Sequence, residues 1–106
     1  MTTMKVSWTK KKNPDYPLPI PCAKFMDQSL ALMLRDLREE VSEVHAAAAD
    51  YERTGSPDDQ AHLAEELTDV ITACTTTLAS IGYSSSGRMD MQAYVNEKNY
   101  IRGYWK

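Results

Sequence analysis

Cysteine, histidine, phenylalanine and glycine are scarce in this sequence, with two, two, one and four residues respectively among 106. Cys22 and Cys74 stand 52 positions apart, a spacing that suits neither a paired metal ligand nor a disulfide framework. Cys74 falls in a helical apolar stripe, which predicts a buried thiol. His45 and His62 are too few for a histidine-rich metal site and read as surface or structural residues. No apolar run approaches the ~20 residues that span a bilayer, so no membrane partner is expected. The opening stretch through Pro17 lacks the apolar core of a signal peptide, and the cytoplasm is the expected compartment. Basic charge is not in excess either: 15 acidic residues face 12 basic ones, for a net charge of −3. That balance disfavours nucleic acid as the main partner. Period-two alternation is missing too, which argues against strands.

What remains is an ordinary globular composition, 42% hydrophobic and 25% charged, at a length suited to one domain. A domain this small leaves much apolar surface uncovered, so self-association is expected. Pro14, Pro17, Pro19 and Pro21 recur too closely for a helix and predict an extended arm over residues 1–23. In that arm, Trp8 and Tyr16 suit either base stacking or packing on their own domain. Lys10-Lys11-Lys12 reads as a solvated charge run.

A helical pattern begins at about Lys24 and opens the second segment, residues 24–106. Met26, Leu30, Leu34, Leu37, Val41, Val44 and Ala48 recur at intervals of three and four, one apolar face of a helix. Gly55 suits its C-terminal cap. Ser56-Pro57-Asp58-Asp59 then has the form of a helix start: cap, proline at the first position, acids in the first turn. The second stripe is Leu63, Leu67, Val70, Ile71, Cys74, Leu78 and Ile81. Gly82 and the Ser84–Gly87 run predict a loop, and a third helix is expected from about Met89 to Ile101, closed by Gly103. The expected fold is all-α: an antiparallel helical hairpin plus a short third helix, assembled into an oligomeric bundle.

Two acidic clusters interrupt the stripes: Glu39, Glu40 and Glu43, and then Glu65, Glu66 and Asp69. Each alone could be a solvated face. Their register makes them more specific. Glu43 lies 12 residues before Gly55 and Glu66 lies 11 after; Glu40 lies 15 before and Asp69 lies 14 after. In a hairpin turning at Gly55 these pairs are level to within about one residue, or ~1.5 Å of rise. At ~100° per residue, Glu40 sits ~80° to one side of the first stripe's centre and Glu66 ~100° to the same side of the second. Glu43 and Asp69 lie further round on that side. All four carboxylates can therefore converge on one lateral surface, where they would repel one another unless neutralised. Oxygen-only ligands suit Mg²⁺ or Mn²⁺. The ferritin-like di-iron pattern needs Glu-x-x-His, and no glutamate here has a histidine three residues on.

Glu39-Glu40-x-x-Glu43, then 22 residues, then Glu66-x-x-Asp69 resembles the signature of the MazG-like all-α nucleoside triphosphate pyrophosphohydrolases. The ending Asn96-Glu97-Lys98-Asn99-Tyr100-Ile101-Arg102-Gly103-Tyr104 is similar to that family's C-terminal helix and its Arg-Gly-aromatic close. The resemblance runs over residues 25–104. It implies Mg²⁺-dependent cleavage of a nucleoside triphosphate between the α and β phosphates, giving a monophosphate and pyrophosphate. It also implies Glu40, Glu43, Glu66 and Asp69 as metal ligands and Glu39 as an auxiliary catalytic carboxylate alongside Glu40. Lys98, Asn99 and Arg102 would face the phosphates or sugar. The resemblance further implies a homodimer or homotetramer whose site lies near helices from more than one chain. Cations in a last helical turn also complement the helix dipole, which is a second explanation for Lys98 and Arg102. The rival class is a catalytically silent helical-bundle interaction or regulatory protein with an acidic surface; a DNA-binding regulator fits the charge less well.

Overall fold

The computed structural model describes residues 18–105; Trp8, Tyr16, Lys10–Lys12 and most of the proline-rich arm lie outside them. Within them the chain is all-helical: a 3-10 turn at Ala23–Phe25, then α1 (Leu30–Thr54), α2 (Pro57–Ser80) and α3 (Ser85–Ile101), with no strand. None of these helices is long and apolar enough to cross a membrane.

Side-chain capping sets where each helix begins. Ser29 Oγ accepts the Leu32 N–H at 3.2 Å, so α1 starts at Leu30 and not at about Lys24. Met26, expected on the first stripe, lies in the turn before it. Gly55 closes α1 in the left-handed region at φ 62°, its N–H donating to Tyr51 O at 2.7 Å. Ser56 Oγ accepts the Asp59 N–H at 3.1 Å, Pro57 holds the first position, and Asp58 and Asp59 meet the positive end of the helix dipole. A cap of this kind stabilises a helix by ~1 kcal/mol. Ser84 Oγ accepts the Gly87 N–H at 3.2 Å. α3 therefore takes in Ser85, Ser86 and Gly87, residues whose composition reads as a loop, and starts four positions before Met89.

α1 and α2 are joined by Gly55 and Ser56 alone and pack against each other, whereas α3 touches α2 much more lightly. The packed sides are not centred on the apolar stripes. Among the described residues only Met33, Ala47, Glu66 and Thr76 are buried. Measured from Glu40 at ~100° per residue, Met33, Val44 and Ala47 lie within about 40°. Measured from Glu66 in the same way, Val70, Ala73 and Thr77 do. The helices thus meet along sides centred on two glutamates. Leu30, Leu34 and Val41 on α1, and Leu67 and Ile71 on α2 with Ile81 at its C-terminal cap, are rotated ~60–140° away, all in the same sense. Every one of these six is exposed. Cys74 goes with them: its thiol is exposed, not buried as its stripe suggested, because the stripe's centre does not face α1.

Candidate metal centre

The glutamate-centred packing gives the carboxylates their geometry. Glu40 and Glu43 are one turn apart on α1, and Glu66 reaches them from α2. One carboxylate oxygen from each lies within 4.8 Å of the other two. Glu66 is the most enclosed, at 1% exposure, with His62 Nε2 3.2 Å from its Oε1. His62 precedes Glu66 by four residues and so lies one turn away on the same face. The Glu-x-x-His pattern is absent, but this i,i+4 pair was legible in the sequence and marks His62 as a neighbour of the site. Glu40 Oε2 is buried and the side chain it meets is another carboxyl, Glu43, a crowding that costs free energy unless something neutralises or ligates the group.

The electrostatics follow from this crowding. Burial, then the charges of Glu43 and Asp69, push the Glu40 carboxyl from 4.5 up to about 7. Asp69 is raised too, first by burial, then by Glu65 and Glu43. Carboxylates crowded together from two helices fit a hard divalent cation. The oxygen donors favour Mg²⁺ or Mn²⁺ over metals that prefer thiolate or imidazole. A carboxylate that ligates a metal is ordinarily held by an outer polar partner, the position His62 has beside Glu66.

Beside the cluster opens a cavity of about 430 Å³. Asp36, Glu39, Glu40, Glu43 and Asp69 form its acidic wall. Glu39 is exposed there, and Glu66 lies out of the cavity between the helices. The remaining wall comes from Cys22, Phe25, Gln28 and Met33, and from α2 between Thr72 and Thr77. The segment before α1 is tied across to α2, for Cys22 N–H donates to Thr76 Oγ1 at 2.9 Å over 54 residues of chain. Thr76 Oγ1 in turn donates to Thr72 O at 2.9 Å. The cavity side and the apolar ridge are opposite flanks of the same helix pair: Asp36, Glu43, Asp69 and Thr76 are rotated ~40–80° from the packed centre in the opposite sense to the ridge.

All four carboxylates expected to be ligands therefore gather around the α1–α2 contact, three of them in the tight cluster and Asp69 in the cavity wall. Lys98, Asn99 and Arg102 do not join them. They sit at the end of α3, none lines the cavity, and the Arg102 guanidinium carbon lies 5.9 Å from the Tyr104 ring centroid. Phe25, Gln28 and Thr76 escaped the sequence reading, since they become neighbours only when the turn before α1 docks on α2. No protein-family model, curated protein or solved structure matches this chain.

Proposed function

We propose that this chain is a divalent-cation-dependent nucleoside triphosphate pyrophosphohydrolase of the MazG-like type, with α1 and α2 as an antiparallel hairpin and the chains associated as dimers or tetramers. One observation carries the reading. Glu40, Glu43 and Glu66, from two helices, bring oxygens within 4.8 Å of one another, at a cavity whose volume of about 430 Å³ suits a small-molecule ligand.

Glu40, Glu43, Glu66 and Asp69 would hold Mg²⁺, or Mn²⁺ in its place. Bound there, the cation supplies charge neutralisation for the phosphates and a lowered pKa for a coordinated water. Glu39, exposed on the cavity wall, would orient the attacking water and accept its proton. Water adds across the α–β phosphoanhydride: the bridging P–O bond breaks, a new P–O bond forms to the water oxygen, and a monophosphate and pyrophosphate leave. His62 holds Glu66 in place through their 3.2 Å contact. Lys98, Asn99 and Arg102 are assigned to the phosphate chain from α3 of another copy. The exposed ridge of Leu30, Leu34, Val41, Leu67, Ile71 and Ile81 supports self-association.

The same ridge favours the second reading, a helical-bundle interaction protein without catalysis. A panel of nucleoside triphosphates with Mg²⁺, resolving pyrophosphate from orthophosphate, separates the two. The enzymatic reading expects pyrophosphate as the first product. Orthophosphate as the first product rejects the α–β assignment, and no release from any nucleotide leaves the silent bundle.

A further inference from the structure

Beyond the carboxylates the cavity changes character. Asp69 and Thr77 both line it and are separated along α2 by about 12 Å of helix rise. The cavity therefore extends well past any cation the acids hold. Its far wall is Phe25, Met33 and Ala73, with Thr72, Thr76, Thr77 and Gln28 among the uncharged polar side chains. Of the threonines, Thr76 and Thr77 are committed elsewhere. Thr76 Oγ1 bonds to Thr72 O and Cys22 N–H, and Thr77 Oγ1 donates to Ala73 O at 2.9 Å.

Gln28 differs. Its Oε1 is buried without a hydrogen-bond partner. The turn that carries it is anchored at the backbone, with Gln28 N–H donating to Phe25 O at 3.2 Å and Cys22 N–H held by Thr76. A buried amide oxygen left unsatisfied costs free energy that a ligand's hydrogen bond can recover. An amide presents a donor and an acceptor side by side, and rotation about its last, roughly two-fold torsion exchanges them. Its complement is the polar edge of a planar heterocycle that also offers both. Phe25, 43% exposed in the same wall, offers a flat apolar surface to such a ring.

We infer that the far end of the cavity is a nucleobase subsite, in which the Gln28 side-chain amide pairs with the polar edge of the base and sets base preference. This rests on the hydrolase reading above, and deepens it. A ligand with a polyanion at one end and a planar hydrogen-bonding heterocycle at the other matches both ends of the cavity. Base discrimination is then a property of the segment before α1, not of the carboxylate helices.

The test is the steady-state kcat/KM for dATP, dCTP, dGTP, dTTP and dUTP with Mg²⁺, in the wild type and in Gln28→Met, whose side chain is of similar length without the amide. The wild type should rank the five bases. Gln28→Met should lose about tenfold on the preferred nucleotide, mainly through KM, and much less on the poorest, flattening the ranking. A second measurement needs no variant: 2-deoxyribose 5-triphosphate, which has no base, should be at least tenfold poorer than the preferred nucleotide in the wild type. In Gln28→Met that penalty should shrink, because the same contact is already gone. An unchanged ranking in a folded Gln28→Met, or equal wild-type turnover of the baseless triphosphate, overturns the subsite and leaves the hydrolase reading standing. No hydrolysis of any of the five by the wild type defeats both.

Discussion

The two flanks of the α1–α2 pair are built from the same two helices and have opposite chemistry. On one flank, Asp36, Glu39, Glu43 and Asp69 line a cavity. On the other, Leu30, Leu34, Val41, Leu67, Ile71 and Ile81 lie exposed. Between them Glu66 is buried almost completely, where a packed pair would ordinarily place a leucine. An apolar seam would stabilise this contact better than buried carboxylates do. Charge at the centre is thus a cost to the fold, and on the proposed reading it is retained for the cation. The displaced apolar stripe is then free for another copy of the chain.

Breaking the acidic flank should have the largest effect. Glu43→Gln keeps size and removes one charge from the cluster, and it should lower pyrophosphate release by a hundredfold or more, given that even outer supports of a metal site are worth 10- to 100-fold. Circular dichroism should show the helices intact. Activity within a few-fold of wild type would remove Glu43 from the site.

The apolar flank should break separately. Ile71→Asp puts a charge in the middle of the exposed ridge, which should cost nothing within one chain and oppose burial between two. Light scattering at micromolar concentration should show at least two chains for the wild type and a shift toward the 12.0 kDa monomer for the variant. A wild-type monomer would contradict the assignment of the ridge to self-association.

A smaller effect sharpens the electrostatic side of the comparison. Glu40 is raised from 4.5 to about 7 in the folded chain, first by burial and then by Glu43 and Asp69. Between those two values the folded state binds more protons than the unfolded one, so stability should fall as pH rises. The contribution is fully present below about pH 4.5 and is lost as pH passes about 7. Chemical denaturation of the metal-free protein at pH 5, 6 and 7 should show this decline, and Glu40→Gln should flatten it. A wild-type stability that rises over the same range, unaltered by the substitution, would place Glu40 among ordinary solvated carboxylates.

Helix number, the Gly55–Ser56 break and the gathering of Glu40, Glu43 and Glu66 were all legible in the sequence. They depend on local capping chemistry and on counting residues along helices. The packing direction was less so. The stripes mark which side of each helix avoids water, and Cys74 reads as inward with them. Yet the helices meet on Glu40 and Glu66, and a hydrophobic pattern alone does not say whether its partner is α1 or another molecule. The start of α3 is hidden in the sequence because serine and glycine read as loop, although Ser84 acts as a cap. Gln28, Phe25 and Thr76 were out of reach for a different reason. Their proximity depends on a contact between residues 54 positions apart, in a turn with no periodicity to read.

Melting curves of wild type and Glu66→Gln, each with and without Mg²⁺, test the central claim most directly. If Glu66 is held at the centre of the pair for a cation, then removing its charge relieves repulsion among the carboxylates. The metal-free variant should melt at the same temperature as the wild type or higher. Mg²⁺ should raise the wild-type melting temperature, because a ligand that binds only the folded state stabilises it by about 2.7 kcal/mol at a hundred times its Kd. Most of that shift should vanish in Glu66→Gln, together with pyrophosphate release. A variant that keeps both the Mg²⁺ shift and the activity would contradict the metal assignment.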